Sequence, residues 1–229
     1  MITTANATRR GTRDHNCDGA HTWTTADGTT HATVIDGTGD SRELAHLADV
    51  AAVAVSRIAD RRSGLAGLLT AADLLGDDHT AAAVTATVSS DGGVQVCWIG
   101  DCRAWWWDGS ALRQLTTDHT MGQLLRVSGG YAAEQVAASQ DHWLRLSLAE
   151  ATPVTVAEVR ALDADDTLLT EGHLLLLTSD GVHQGGVPLA ALTRLHAKDP
   201  QRLADVLVAA AQARDDGYRD DATVVVIAA

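Results

Sequence analysis

The sequence predicts a single α+β domain with a β-rich core over residues 1–229, and three observations lead to this prediction. Short apolar segments with the two-residue alternation of strands recur along the chain, separated by turns rich in Asp and Gly. Longer segments have the apolar spacing of helices, and consecutive helices favour a layer packed on a sheet. No change of composition, linker or internal repeat divides the chain.

The strands are predicted from alternating apolar residues that end at turn residues. A turn at Ala26-Asp27-Gly28 predicts a hairpin between the second and third strands. From His79 to Leu115 the pattern indicates an antiparallel meander, and the run from Leu174 to Thr178 is apolar on both faces, as in a central strand. The predicted strands are two within residues 2–25, then 30–36, 83–88, 94–99, 104–107, 154–160, 174–178 and 223–227.

Helices are predicted where apolar residues recur three or four positions apart. Leu44, Leu47, Ala51 and Val55 form one such stripe, and the preceding Asp40–Glu43 segment carries the hydroxyl and acidic side chains that cap helices. The predicted helices cover about 42–60, 65–75, most of 118–150 with a break at 128–130, 187–196 and 200–214.

Composition excludes several classes of function. The chain has 17 basic and 30 acidic residues and a net charge of −13, which disfavours a nucleic-acid or anionic-membrane partner. The three cysteines, Cys17, Cys97 and Cys102, are odd in number and lack C-x-x-C spacing, so we expect neither a disulfide framework nor a zinc site. Without a signal peptide or an apolar run of membrane length, we expect a soluble cytoplasmic protein.

The most informative feature is an aspartate at the end of an apolar strand. Asp36, Asp101 and Asp180 each follow such a run, Asp18 and Asp220 lie beside further predicted strand ends, and Arg13 lies near the first of these. A carboxylate is costly to bury unless a cation lies against it. Any one of these residues is also explained by a strand that ends in a turn. Their recurrence predicts one shared site.

The residue types at this site indicate a metal and a phosphate. Carboxylates without clustered histidines or cysteines favour Mg²⁺ or Mn²⁺, which take oxygen ligands. Two such ions about 3.5–4 Å apart can polarise a phosphoryl oxygen and activate water for in-line attack. A guanidinium can bind the remaining phosphate oxygens in bidentate fashion.

In order and spacing, these motifs resemble those of the PPM/PP2C family of metal-dependent serine/threonine protein phosphatases. Arg13–Asp18 resembles the family's R-x-x-N-E-D, and Val34–Gly39 resembles its V-A-D-G-M-G. Gly100–Ala104 resembles G-D-S-R-A, and Leu115–Thr120 resembles the downstream L-T-x-D-H-S. Leu174–Gly181 resembles L-L-L-C-S-D-G, and Arg219–Val226 resembles R-D-N-x-T-V-V-V.

The resemblance implies two stacked antiparallel sheets flanked by helices, with the metal centre in a cleft at one end. It implies that a hydroxide bridging two Mn²⁺ or Mg²⁺ ions hydrolyses phosphoserine and phosphothreonine in proteins. Arg13 would bind the substrate phosphate, Asp36 would bridge both ions, and the carbonyl of Gly37 would bind one of them. The other implied ligands are Asp180 and Asp220 at the first ion, Asp18 at the second largely through water, and Asp101 at a weaker third. The implied partners are phosphoproteins, namely a serine/threonine kinase or its targets, and we expect a monomer.

Several residues depart from the family pattern. Cys17 replaces a glutamate, Thr38 replaces a methionine or histidine, Asp40 stands where a glycine is usual, and Asp221 replaces an asparagine. The absence of a histidine at 38 leaves protonation of the leaving group to water. The segment between Asp118 and Asp180, which includes the family's flap, is similar only in outline.

These departures motivate an alternative in which the chain is a pseudophosphatase, a phosphoprotein-binding regulatory module with impaired catalysis. Asp36-Gly37-Thr38 also prompts a phosphatase with an aspartyl nucleophile. That chemistry needs a second aspartate two residues earlier, where this chain has Val34. We therefore discount it.

Overall fold

Two five-stranded antiparallel sheets form the centre of the fold in the computed structural model, which describes residues 2–160 and 168–229. The first sheet contains, in spatial order, β1 (Thr3–Arg9), β10 (Ala222–Ala228), β9 (Leu174–Thr178), β6 (Arg103–Trp107) and β7 (Leu112–Gln114). The second contains β2 (Asp18–Thr24), β3 (Thr30–Gly37), β4 (Ala81–Val88), β5 (Val94–Ile99) and β8 (Ala157–Arg160). The predicted α+β fold with two stacked sheets is confirmed.

Helices cover the outer faces of both sheets. α1 and α2 pack on the second sheet, and α7 packs on β1 and β10 of the first. Ser41 and Ser63 cap α1 and α2, because each hydroxyl accepts a hydrogen bond from a backbone N–H of the first turn. The helices are α1 (Arg42–Arg61), α2 (Gly64–Leu75), α3 (Met121–Ser128), α4 (Gly130–Ala137), α5 (Asp180–His183), α6 (Leu189–His196) and α7 (Pro200–Ala210).

Three apolar clusters hold these layers together. The central cluster joins the two sheets through residues such as Val34, Trp106 and Leu175. A second lies between α1, α2 and the second sheet, and a third lies between α7 and the first sheet. Each fully buried side chain of this size contributes about 1.5–3 kcal/mol, so the sheets form a rigid support for the loops at their ends.

The meander predicted from 79 to 115 is wrong in part. β4 and β5 pair in the second sheet, but β6 pairs with β9 in the first, so the chain crosses between the sheets after Ile99. The crossing is possible because Gly100 adopts a positive φ of 92°. Beyond it, Ala104 and Trp106 face the central cluster from the opposite sheet. Asp101 therefore lies between the two sheets.

Two predicted helices are shorter than expected. The segment 118–150 contains two eight-residue helices followed by short 3₁₀ turns, and the last helix ends at Ala210 instead of residue 214. The guanidinium of Arg9 donates hydrogen bonds to the carbonyls of Ala209 and Ala211, which satisfies the free end of α7. No helix in the described residues has the length and apolar character needed to cross a bilayer.

Candidate functional site

A cavity of about 230 Å³ brings together most of the residues predicted to form the site. Its lining includes Arg13, Asp36, Asp101, Asp180 and Asp220, which come from five different segments of the chain. Ends of β3, β5 and β9, together with the start of β10, meet here because the two sheets stack with these ends on one side. The strand-end aspartates thus share one site.

Among the aspartates predicted to form the site, Asp18 is the one that does not line the cavity. It lies directly opposite Asp36 in the pairing of β2 with β3, and it is only 6% exposed. One of its carboxylate oxygens accepts a hydrogen bond from Oγ of Ser179 at 2.8 Å. Asp18 is therefore a buried carboxylate behind Asp36.

The carboxylate of Asp36 is in direct contact with the segment that carries Asp180. The backbone N–H of Asp180 donates a hydrogen bond to Oδ2 of Asp36 at 3.2 Å. Asp180 is the first residue of α5, so the end of β9 and the start of this helix set its position. The end of β3 and the start of α5, which follows β9 of the other sheet, therefore meet at one hydrogen bond.

Gly37 follows Asp36 at a position where the backbone approaches a neighbour closely. Its N–H donates to the carbonyl of Cys17 at 3.0 Å, and a Cβ atom at this position would lie 2.7 Å from the same oxygen. No other residue type fits here without displacing the backbone, so the D-G sequence has a steric cause.

Burial and mutual repulsion raise the pKa of the clustered carboxyls. Burial, followed by the charge of Asp220, raises the pKa of Asp36 to about 6. Burial and the charge of Asp36 raise the pKa of Asp101 to about 8, and they raise the pKa of Asp18 and Asp180 well above the usual range. Full ionisation of these carboxyls is therefore unfavourable unless a further positive charge enters the site.

Arg13 is the basic residue that faces these carboxylates from the loop between β1 and β2. One terminal nitrogen, Nη2, lies 3.1 Å from Oδ1 of Asp220, and the other, Nη1, lies 3.8 Å from Oδ2 of Asp221. The Arg13 side chain remains 21% exposed. It is anchored on one side and accessible on the other, as a phosphate-binding arginine must be.

Asp221 is buried beneath Arg13 and binds the backbone on both sides of the loop. Its Oδ1 accepts the N–H of Gly11 at 2.7 Å, and its Oδ2 accepts the N–H of Cys17 at 2.9 Å. Because both oxygens act as acceptors, the carboxylate serves this geometry better than the amide of the family's usual asparagine.

Two groups at the cavity carried no functional prediction from the sequence. Tyr218 and Arg214, in the loop between α7 and β10, both line it. The hydroxyl of Tyr218 donates a hydrogen bond to Oδ1 of Asp220 at 3.1 Å. The available signal is an aromatic residue two positions before Asp220, just outside the matched motif. His142 also lines the cavity.

The donor set fits a hard divalent cation. Asp36, Asp101, Asp180 and Asp220 supply only oxygen. An added cation would relieve the repulsion that, together with burial, raises the pKa of Asp36, Asp101 and Asp180. Within the described residues, no three His, Cys, Asp or Glu side chains already have the arrangement of a metal site. Arg13 and Tyr218 both contact Oδ1 of Asp220, so Oδ2 is the oxygen of this carboxylate that could bind an ion.

Known structures resemble this chain over its full length, although the sequence matches no protein-family model and no curated protein. The PPM Ser-Thr phosphatase MsPP from Mycobacterium smegmatis, in complex with cacodylate, is 27% identical with a TM-score of 0.72, and the match covers 99% of this chain and 97% of that one. The S. agalactiae serine/threonine phosphatase is 19% identical with a TM-score of 0.75, and the match covers 100% of this chain and 99% of that one.

A third structure is the catalytic domain of the serine/threonine protein phosphatase PstP in complex with two manganese ions. It is 20% identical with a TM-score of 0.72, and the match covers 99% of this chain and 97% of that one. The chain therefore shares its fold with these phosphatases over its full length, and the order of its strand-end motifs is similar to that of the PPM/PP2C family.

Proposed function

We propose that this chain is a Mn²⁺- or Mg²⁺-dependent phosphatase, a phosphoric monoester hydrolase that acts on phosphoserine and phosphothreonine in proteins. The observation that carries the proposal is the convergence of four carboxylates and Arg13 on one cavity. The likeness to MsPP, a PPM Ser-Thr phosphatase, supports the reaction class. The two manganese ions of the PstP structure support the cofactor.

The carboxylates are assigned to cation binding. Asp36 would bind two ions and the carbonyl of Gly37 one of them. Asp180 and Asp220 would bind the first ion, Asp18 would support the second largely through water, and Asp101 would help to hold a third. Divalent ions at this site would supply Lewis acidity toward the phosphoryl oxygens and lower the pKa of the attacking water. The backbone hydrogen bond from Asp180 to Asp36 fixes the spacing of two of these ligands.

Arg13 is assigned to the substrate phosphate. Asp220 and Asp221 hold one side of its guanidinium at 3.1 and 3.8 Å, which restricts the side chain before substrate binds. A restricted guanidinium loses less conformational entropy on binding and presents two N–H groups to two phosphate oxygens. Thr38 lines the same cavity where some family members have a histidine, so protonation of the leaving alkoxide falls to water.

The test is release of phosphate from a phosphothreonine peptide. We expect activity with Mn²⁺ and none with an excess of chelator. Asp180→Asn should lower kcat by about 100-fold or more, because a metal ligand contributes several kcal/mol to the transition state. Asp77→Asn is the matched control, since Asp77 is exposed and does not line the cavity. Equal activity of wild type with Mn²⁺ and with chelator would overturn the proposal.

The second candidate is a phosphoprotein-binding module without catalysis, and Cys17 is the observation that favours it. Its thiol is fully buried against the carbonyl of Ser41 at 3.8 Å and supplies no carboxylate where the family has a glutamate. Calorimetric titration with Mn²⁺ separates the two candidates. Binding in the micromolar to millimolar range supports the phosphatase, whereas no heat at millimolar metal together with retained phosphopeptide binding supports the module.

A further inference from the structure

The loop between α7 and β10 forms a structured wall at the edge of the cavity. The N–H of Arg214 donates to the carbonyl of Tyr218 at 2.7 Å, and the N–H of Gly217 donates to the carbonyl of Arg214 at 2.9 Å. Asp216 accepts the N–H of Tyr218 at 2.9 Å. With the Tyr218 hydroxyl bound to Asp220, both ends of this residue are fixed.

Two guanidiniums lie against the Tyr218 ring. The Cζ atom of Arg13 is 5.5 Å from the ring centroid, and that of Arg214 is 5.3 Å from it. These distances are within the range of cation–π attraction, which restrains an arginine without consuming its N–H donors. The ring therefore sets the position of a second arginine beside the proposed phosphate-binding one.

The two arginines differ in how their charge is balanced. Arg13 is paired with Asp220 and Asp221. Arg214 forms no ion pair with any residue in 2–160 or 168–229, although its side chain is exposed and lines the cavity. In the same turn, the carboxylate of Asp216 is already engaged by the Tyr218 N–H. Arg214 thus offers free N–H donors to an anion that enters the cavity.

We propose that Arg214 and Tyr218 form a second anion subsite, which selects phosphopeptides carrying another negative group close to the phosphorylated residue. The proposal rests on the proposed function, because it takes Arg13 as the phosphate-binding group. Both guanidinium carbons lie within 5.5 Å of one ring, and an extended peptide advances about 3.3 Å per residue. The second group therefore lies within about three residues of the first.

The anionic group has two possible sources, an acidic side chain and a second phosphate, which share the same recognition chemistry. Both bind a guanidinium through charge-assisted hydrogen bonds. The net charge of −13 repels an acidic peptide at long range, so any preference for such a peptide must come from a local basic contact. Arg214 is placed to provide it.

The experiment uses three phosphothreonine peptides of equal length, with alanine, glutamate or phosphoserine two residues after the phosphothreonine. Affinities are measured by fluorescence anisotropy with non-hydrolysable phosphonate versions, and kcat/KM is measured with the phosphopeptides themselves. The proteins are wild type, Arg214→Gln, Tyr218→Ala and the control Arg113→Gln. Arg113 is also an exposed arginine but lies outside the cavity lining, so its substitution makes the same change in net charge.

Wild type should bind the glutamate peptide about three- to tenfold more tightly than the alanine peptide, the effect of one accessible charge-assisted contact. The phosphoserine peptide should show an equal or larger preference. Arg214→Gln and Tyr218→Ala should bring these ratios close to one, chiefly through KM in the kinetic assay, and Arg113→Gln should keep them.

Either of two results overturns the subsite: no preference in wild type, or a preference that survives Arg214→Gln. The anisotropy measurement separates this outcome from failure of the proposed function. If wild type binds the peptides with the expected ratios but releases no phosphate with Mn²⁺, the phosphatase assignment fails and the subsite stands. If phosphate is released at equal rates from all three peptides, the subsite fails and the phosphatase stands.

Discussion

The carboxylate of Asp40 holds His15 at two points. Its Oδ1 accepts the backbone N–H of His15 at 2.9 Å and lies 3.1 Å from the ring Nδ1, while Oδ2 accepts the N–H of Asp14 at 3.1 Å. These bonds fix the loop directly after Arg13. The aspartate that departs from the family's glycine therefore restrains the backbone of the proposed phosphate-binding residue.

Removal of this restraint should weaken substrate binding. We expect Asp40→Gly to raise the KM for a phosphopeptide about three- to tenfold with a smaller change in kcat, because the freed loop must be ordered on binding. Asp40→Asn keeps one carbonyl acceptor and should give a smaller increase in KM. Steady-state kinetics on both variants checks this prediction. Equal KM values for wild type and Asp40→Gly would contradict it.

Asp221 should contribute to stability through its two backbone hydrogen bonds. The residue is 2% exposed, and Asp221→Asn would turn an NH₂ group toward the N–H of either Gly11 or Cys17. A buried N–H without an acceptor costs about 1–3 kcal/mol, so the free energy of unfolding should fall by about that amount. Urea unfolding measures the change, with the exposed Asp77→Asn as the control for the same chemical substitution. A stable Asp221→Asn protein would show that the loop rearranges to satisfy both groups.

Much of the fold was accessible from the sequence, because its signals are local. Ser41 marks the start of α1, the apolar run before Asp180 is β9, and α2 ends before Gly76. The crossing of the chain between the sheets after Ile99 could not be predicted. The sequence of a short turn is similar whether the two strands it joins pair with each other or belong to different sheets. Only the packing of Trp106 from the opposite sheet decides between these cases.

Some residues of the candidate site could be predicted from the sequence and others could not. The aspartates could be predicted because a carboxylate after an apolar strand is unusual in itself. The roles of Asp40 and Asp221 could not, because each depends on backbone N–H groups more than 20 residues away in the chain. Tyr218 and Arg214 were missed because an exposed arginine and a loop tyrosine are ordinary until folding brings them to the same cavity.

His183 predicts that stability will depend on pH. Its Nδ1 lies 3.2 Å from Oγ1 of Thr178, and its Nε2 is buried without a hydrogen-bond partner among the described residues. Burial, followed by the charge of Arg103, holds the pKa of His183 well below its usual value. As pH falls below about 6.5, the ordinary pKa of histidine, His183 takes up a proton in the unfolded chain but stays neutral in the folded protein. Stability should therefore decrease with falling pH.

The measurement is urea unfolding of wild type and His183→Gln at several pH values on either side of this value. The difference in unfolding free energy between the two proteins should shift in favour of the variant as pH falls, because glutamine does not titrate. A difference that stays constant with pH would show that His183 is not the group responsible.

Asp180→Asn should have opposite effects on stability in the absence and presence of metal. In wild type, burial and then repulsion from Asp36 and Asp101 raise the pKa of the Asp180 carboxyl well above its usual value. Without divalent ions, the neutral amide relieves this repulsion, and we expect the variant to unfold at a higher temperature than wild type. With Mn²⁺, wild type should gain stability in proportion to the logarithm of free metal above the dissociation constant, and the variant should gain much less.

Thermal unfolding across a Mn²⁺ series tests this reversal without any assay of activity. The two curves of unfolding temperature against metal concentration should cross, and Asp77→Asn should follow wild type throughout. A variant that is less stable than wild type without metal, and that responds equally to Mn²⁺, would mean that Asp180 has a structural role in α5. The crossing point also gives the concentration at which metal binding outweighs the repulsion between the buried carboxylates.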